Sequence, residues 1–287
     1  MCNSSLIQQN LSSNETMQDT SERLHTILIA LYIIDLAGGT LGAIMMAHQL
    51  FQRRSQSTMT IIISSLLVLH ILMLLSIPFR LSYYISREWK FGWLACQLTS
   101  AIIYIHMYTT FTFYVAIITI RLFRLEFKRC CTAAWVAAVW LLAALVITPV
   151  LLSYYGTSNS YRSSECFQFH KEMEKVAMVI INYCLIGILV SVCAGLTVIQ
   201  LSVIYRLAVK YWPDINSHAE FRAQAKSFFF ILVTLVCFIP HHVFRVYYIQ
   251  NLHLDKDRKL LPYNEFFLAL TTMCCLDMLC FLAGIAR

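Results

Sequence analysis

Seven runs of mostly apolar residues, joined by short polar connections, take up nearly the whole of this chain. They lie near residues 26–50, 58–85, 95–122, 132–155, 176–205, 226–250 and 262–285. A hydrocarbon layer of about 30 Å is crossed by roughly 20 helical residues, so each run is long enough to span it. Hydrocarbon supplies no hydrogen-bond partner, and an open strand would leave its backbone unpaired there. The predicted fold class is therefore an all-α membrane protein, a seven-transmembrane helix bundle. Residues 1–25 form a polar tail ahead of it, and residues 26–287 form one membrane domain.

Composition supports this reading: 59% of the 287 residues are apolar and 13% are charged, which excludes an ordinary soluble domain. A net charge of +7 raises nucleic acid as a partner, but the basic residues are scattered among short loops, so none is expected. The same scatter silences the positive-inside rule, because 11 of the 22 lysines and arginines fall on each side of a seven-span chain. Orientation comes instead from three glycosylation acceptors, Asn3, Asn10 and Asn14, each followed two residues later by Ser or Thr. They place the amino terminus outside, although polar tails rich in Asn and Ser form such triplets by chance. The first 24 residues lack the apolar core of a cleavable signal, so the first span is expected to act as a signal anchor.

The most informative run is Lys226 to Gln250, centred on Cys237-Phe238-Ile239-Pro240-His241-His242-Val243-Phe244-Arg245. Pro240 stands in mid-span, where it should kink the helix without ending it. Steps of four and three residues put Phe238, His242 and Arg245 on one face. Buried charge in a membrane helix turns toward a partner or a cavity. The Cys-Phe-x-Pro signature with the following histidine and arginine resembles the sixth helix of rhodopsin-like G-protein-coupled receptors of the purinergic-type branch.

That resemblance extends along the chain. Ser76-Ile77-Pro78 is similar to the branch's second-helix Thr-x-Pro, and Trp89-Lys90-Phe91-Gly92 to its first extracellular loop. His106-Met107-Tyr108 resembles the branch's Asn-Met-Tyr. Arg121 follows Cys96 by 25 residues, about 37 Å of helix, and stands where the family has the arginine of Asp-Arg-Tyr. Trp140 and Pro149 match fourth-helix positions. The resemblance implies a disulfide between Cys96 and Cys166, and an acidic partner for Arg121 in Glu220. Several positions depart from the family. His70 replaces its sodium-binding aspartate, Ile120 its local acid beside the arginine, Gln200 its fifth-helix tyrosine, and Asp277-Met278 its Asp-Pro. An imidazole does not substitute for a carboxylate toward sodium, so His70 reads first as a hydrogen-bonded core residue.

By resemblance, the chain is expected to be a multi-pass plasma-membrane receptor that passes an extracellular signal to a heterotrimeric G protein on the cytoplasmic face. The ligand is expected to be an anionic small molecule or lipid. Arg245 would anchor it, with His242 as second donor and Phe238, Tyr108 and Ile103 lining the site. Arg80 and Lys90 would make the mouth electropositive. Alternatively, Arg245 snorkels to the headgroups or pairs with Glu172 or Glu265. Arg121, Glu220, Pro240, Asp277 and His70 form the expected activation switch, with a snorkelling role left open for Arg121. No catalytic residue, cofactor or metal site is assigned. Residues 261–287 lack the lysine of an opsin, and Ile103 stands where amine receptors carry an aspartate. A non-signalling or ligand-independent seven-helix scaffold, its switches fallen out of use, is the alternative function.

Overall fold

The computed structural model describes residues 3–52, 57–154, 164–167, 175–255 and 259–279, with side chains omitted for 3–21 and 146–154. Its helices are α1 (Asn3–Gln52), α2 (Thr58–Ser86), α3 (Gly92–Phe123), α4 (Arg129–Tyr154), α5 (Val176–Lys210), α6 (Ala219–Asn251) and α7 (Leu261–Thr272). A 3-10 turn at Met273–Leu276 continues α7. Among the described residues, five helices are long and apolar enough to cross a bilayer: Glu22–Gln52 within α1, and α2, α3, α5 and α6. The acceptors Asn3, Asn10 and Asn14 lie outside the residues whose side chains are described, as does Pro149.

Local chemistry sets several boundaries. Ser57 caps α2, its hydroxyl accepting from the Thr60 N–H at 3.2 Å. Arg124 ends α3 in the left-handed region with φ 50°, and its N–H donates to the Ile120 carbonyl. Helix α6 starts at Ala219, before its apolar run, because Ala, Glu, Arg and Gln are good helix formers. The proline expectation has a definite form in the structure. A wide π-type turn at Thr234–Phe238 absorbs the bond that Pro240 cannot make, and the helix continues to Asn251.

Helices α1 to α4 pack successively, as do α5 to α7, α1 meets α7, and α3 runs through the middle in contact with α2, α4 and α6. Besides a small cluster of Tyr248, Ile249 and Leu252, two large apolar clusters fill most of the interior. One, toward the Cys96–Cys166 end, contains Tyr32, Ile77, Trp89, Ile103 and Phe167. The other contains Ile62, Met107, Phe113, Tyr114, Phe230 and Phe238. Ile44, Leu75, Leu142, Ile188 and Val198 point outward and are exposed, as side chains facing lipid must be.

Glycines allow α1 and α7 to meet. A Cβ on Gly42 would lie 3.1 Å from Met278 Cβ and 3.4 Å from the Leu279 backbone nitrogen, neither of which can swing away. A Cβ on Gly38 would meet the end of Leu276, which can rotate aside. Both positions gain equally in helix propensity on becoming alanine. Gly42→Ala should therefore melt lower than Gly38→Ala, the difference being about 1 to 3 kcal/mol as in overpacked cores. Thermal unfolding of the two purified variants checks this, and equal melting would contradict it.

Candidate functional site

At one end of the bundle Cys96, in the first turns of α3, is bonded to Cys166 with a Cα separation of 5.9 Å. The bond draws Phe167 inward, where it is buried among Tyr83, Tyr84 and Trp89. Trp89 fixes the neighbouring loop from two sides. Its backbone N–H donates to Ser164 O at 2.9 Å and its indole N–H to Gly92 O at 2.6 Å. Gly92 itself has φ +76°, which a side chain would disfavour.

Arg80 corrects the expectation of a basic mouth. It is 1% exposed and lies inside the bundle, with its guanidinium 4.3 Å above the Phe167 ring. It donates to Thr99 O at 3.3 Å and stands 3.8 Å from Glu265. Tyr84 OH donates to the same carboxylate at 2.8 Å. The physical reason is the desolvation cost of an unpaired guanidinium, offset here by a carboxylate, a carbonyl and an aromatic face. Only Lys90 of the two expected mouth cations is exposed. Glu265 thus accepts from Tyr84 and faces Arg80; Glu172 lies outside the described residues.

Arg245 is buried as well, so it does not snorkel. Its Nε donates to Asn182 Oδ1 of α5 at 3.3 Å and its Nη1 to Asn264 Oδ1 of α7 at 2.8 Å. One helical turn earlier, His242 is 1% exposed, and neither ring nitrogen has a hydrogen-bond partner among the described residues. The Tyr108 ring lies 6.0 Å from it and the His241 ring 5.3 Å. Phe238 and Ile103 are fully buried, but in different apolar clusters. Asn182 and Asn264 were missed in the sequence, being ordinary amides at the ends of apolar runs.

Midway along the bundle His70, on α2, lies 2.9 Å from His106 on α3, a buried hydrogen bond. The other His70 nitrogen faces Asp277 Oδ1 at 3.4 Å, while Tyr114 OH donates to Asp277 Oδ2 at 2.5 Å. His70 is thus partnered in the core, and Asp277 sits opposite it on α7.

At the far end, the expected Arg121–Glu220 pair is not formed. Glu220 is bound by Arg124 and accepts from Tyr211 OH at 2.9 Å. Glu220 lies in the first turn of α6, at the rim, and Arg124 at the α3 terminus reaches it where Arg121, three residues deeper, does not. The Arg121 guanidinium rests 6.0 Å from the Phe230 ring centroid, and its Nη1 has no hydrogen-bond partner among the described residues. Gln224 makes the link that Glu220 was expected to make. Its amide donates to Arg121 O at 3.3 Å, and Gln200 of α5 donates to Gln224 Oε1 at 3.0 Å. The replacement of a tyrosine by Gln200 was the available signal. Arg121, Arg124, Glu220 and Gln224 border an open cleft of about 560 Å³.

A helix bundle with a disulfide pinning a loop at one end, a kinked α6 and an arginine beside an open cleft at the other has the anatomy of a seven-helix receptor. The chain belongs to the 7 transmembrane receptor (rhodopsin family), whose family pattern matches residues 42–280. It is 39% identical over 267 residues to human "Probable G-protein coupled receptor 141", covering 90% of this chain and 88% of that one. It is 24% identical to rat "2-oxoglutarate receptor 1", covering 83% of this chain and 73% of that one. Mouse "Cysteinyl leukotriene receptor 2" is 25% identical, covering 85% and 80%. The chain is thus a multi-pass membrane protein of a signalling-receptor family.

Peptide mapping without reductant should recover Cys96 and Cys166 linked, and Cys166→Ser should destabilise the fold by about 2 to 5 kcal/mol. The Arg124–Glu220 pair is different, because the arginine side chain is 72% exposed. Exposed pairs contribute about 0.2 to 1 kcal/mol. A double-mutant cycle of Arg124→Ala and Glu220→Gln, read by thermal unfolding, should give a coupling in that range; several kcal/mol would mean that the pair is a true lock.

Proposed function

We propose that this chain is a plasma-membrane receptor, not an enzyme, that binds an anionic small molecule or acidic lipid from outside and signals to a heterotrimeric G protein. The reading places the amino terminus and the Cys96–Cys166 end outside. The observation that carries it is the buried pair of His242 and Arg245, one turn apart above the Pro240 kink. His242 has two ring nitrogens without partners, and Arg245 presents a planar fork of donors held by Asn182 and Asn264. A carboxylate or phosphate is the group that a guanidinium fork and a neighbouring imidazole recognise together. Tyr108 flanks the same place, and Phe238 forms the packed floor below it. The relatives named for 2-oxoglutarate and cysteinyl leukotrienes support the ligand class, since both compounds carry carboxylates.

On the opposite face, the cleft beside Arg121 offers a G protein its docking surface, and the wide turn before Pro240 gives α6 a hinge on which to open it. The test is a G-protein recruitment assay on cells exposed to 2-oxoglutarate, cysteinyl leukotrienes and a nucleoside diphosphate. At matched surface expression, Arg245→Ala should shift the response to an active acid by about 30-fold or more, equivalent to the roughly 2 to 5 kcal/mol of a desolvated charged anchor. An unshifted curve would remove Arg245 from the site, and recruitment by none of these acids would count against the ligand class.

A further inference from the structure

The middle of the bundle holds a group of side chains that neither the proposed ligand site nor the G-protein cleft uses. His70 Nδ1, His106 Nε2 and Cys275 Sγ form a triangle with edges of 2.9, 3.3 and 3.6 Å. Cys274 Sγ lies 3.9 Å from His106 Nε2. All four residues are buried, and they come from α2, α3 and the 3-10 turn after α7. Nitrogen and sulfur ligands at about 2.0 to 2.3 Å around a tetrahedral zinc stand about 3.3 to 3.8 Å apart. The triangle matches those edges except between the imidazoles, which need to open by a few tenths of an ångström.

We propose that His70, His106, Cys274 and Cys275 form a binding site for one zinc ion at the centre of the bundle. The donor set selects the metal: thiolate and imidazole suit zinc, whereas magnesium and calcium require oxygen ligands. Binding converts the two thiols to thiolates and releases two protons to water, so the divalent ion and its ligands carry no net charge. That neutrality matters in a low-dielectric bundle, where an uncompensated ion is strongly disfavoured.

An independent feature supports the assignment. Behind His70, on the nitrogen facing away from the cluster, stands the Asp277 carboxylate at 3.4 Å, itself held by Tyr114 OH. A carboxylate behind a metal-binding histidine is the usual device for keeping that nitrogen protonated and turning the other lone pair toward the metal. Occupied, the site would tie α2, α3 and α7 together at a single atom.

The test uses the full chain with the exposed Cys130 and Cys131 changed to serine, so that they offer no competing thiols. The protein is expressed with zinc in the medium, purified and washed with chelator, and its zinc is counted and examined by X-ray absorption at the zinc edge. About one zinc per chain with a mixed nitrogen and sulfur shell is expected. Cys275→Ser and His106→Asn should each lose it, and Asp277→Asn should weaken it by about 10- to 100-fold. A folded, disulfide-bonded protein without zinc would overturn the proposal, as would a shell of only nitrogen and oxygen, or zinc retained in both ligand variants. The absorption spectrum of the unaltered cluster decides the matter even if a ligand variant does not fold.

Discussion

Hydrocarbon neither gives nor accepts a hydrogen bond, and the large polar side chains that tie this bundle together find their partners on other helices. Three tiers of such partners hold the bundle. Near the disulfide, Arg80 of α2 meets Glu265 of α7 and a carbonyl of α3. In the middle, His70 meets His106 and Asp277. At the far end, Gln200 and Gln224 join α5 and α6 to the end of α3. Every tier includes α3, in keeping with its central position.

The helices were legible because apolar length is a local signal. That Pro240 would disturb the helix without ending it was legible for the same reason, since the missing N–H belongs to one residue; the wide turn at Thr234–Phe238 is the form it takes. The position of Arg121 and the presence of Glu220 could also be read, but not which cation takes the acid. Arg121 and Arg124 are three residues apart on one helix, and only the height of Glu220 relative to the α3 terminus decides between them. Arg80 shows the same limit. Its place near a helix end suggested a charge facing water, while the carboxylate that draws it inward is 185 residues away in the chain (265 − 80).

The central cluster was the least legible part. His70 and His106 are separated by 36 residues, and His106 and Cys275 by 169. No metal motif has such spacing, because short motifs place ligands within a turn or two of one another. His70 could be singled out only as a departure from its family, and Asp277 only as the remaining half of a two-residue motif. The structure shows that the substituted His70 on α2 faces the retained Asp277, just after the 3-10 turn that continues α7.

That arrangement places Tyr114 between Asp277 and α6. Its hydroxyl holds Asp277, while its ring lies 5.1 Å from Phe230, before the wide turn in α6, and 6.3 Å from Phe238, the last residue of that turn. Arg245 and His242 stand above that turn, and Gln224 and the open cleft lie below it. A rotation of the upper half of α6 about the turn would press Phe238 on Tyr114 and strain its bond to Asp277. Fully buried rings cannot shift one at a time without opening voids, so the displacement must be shared with Phe230 and the lower half of the helix. Site-to-site coupling is ordinarily about 1 to 3 kcal/mol, comparable with one charge-assisted hydrogen bond such as that of Tyr114 to Asp277. In the proposed receptor, coupling between the ends would run through the wide turn and one tyrosine that bonds to Asp277 on one side and packs against α6 on the other.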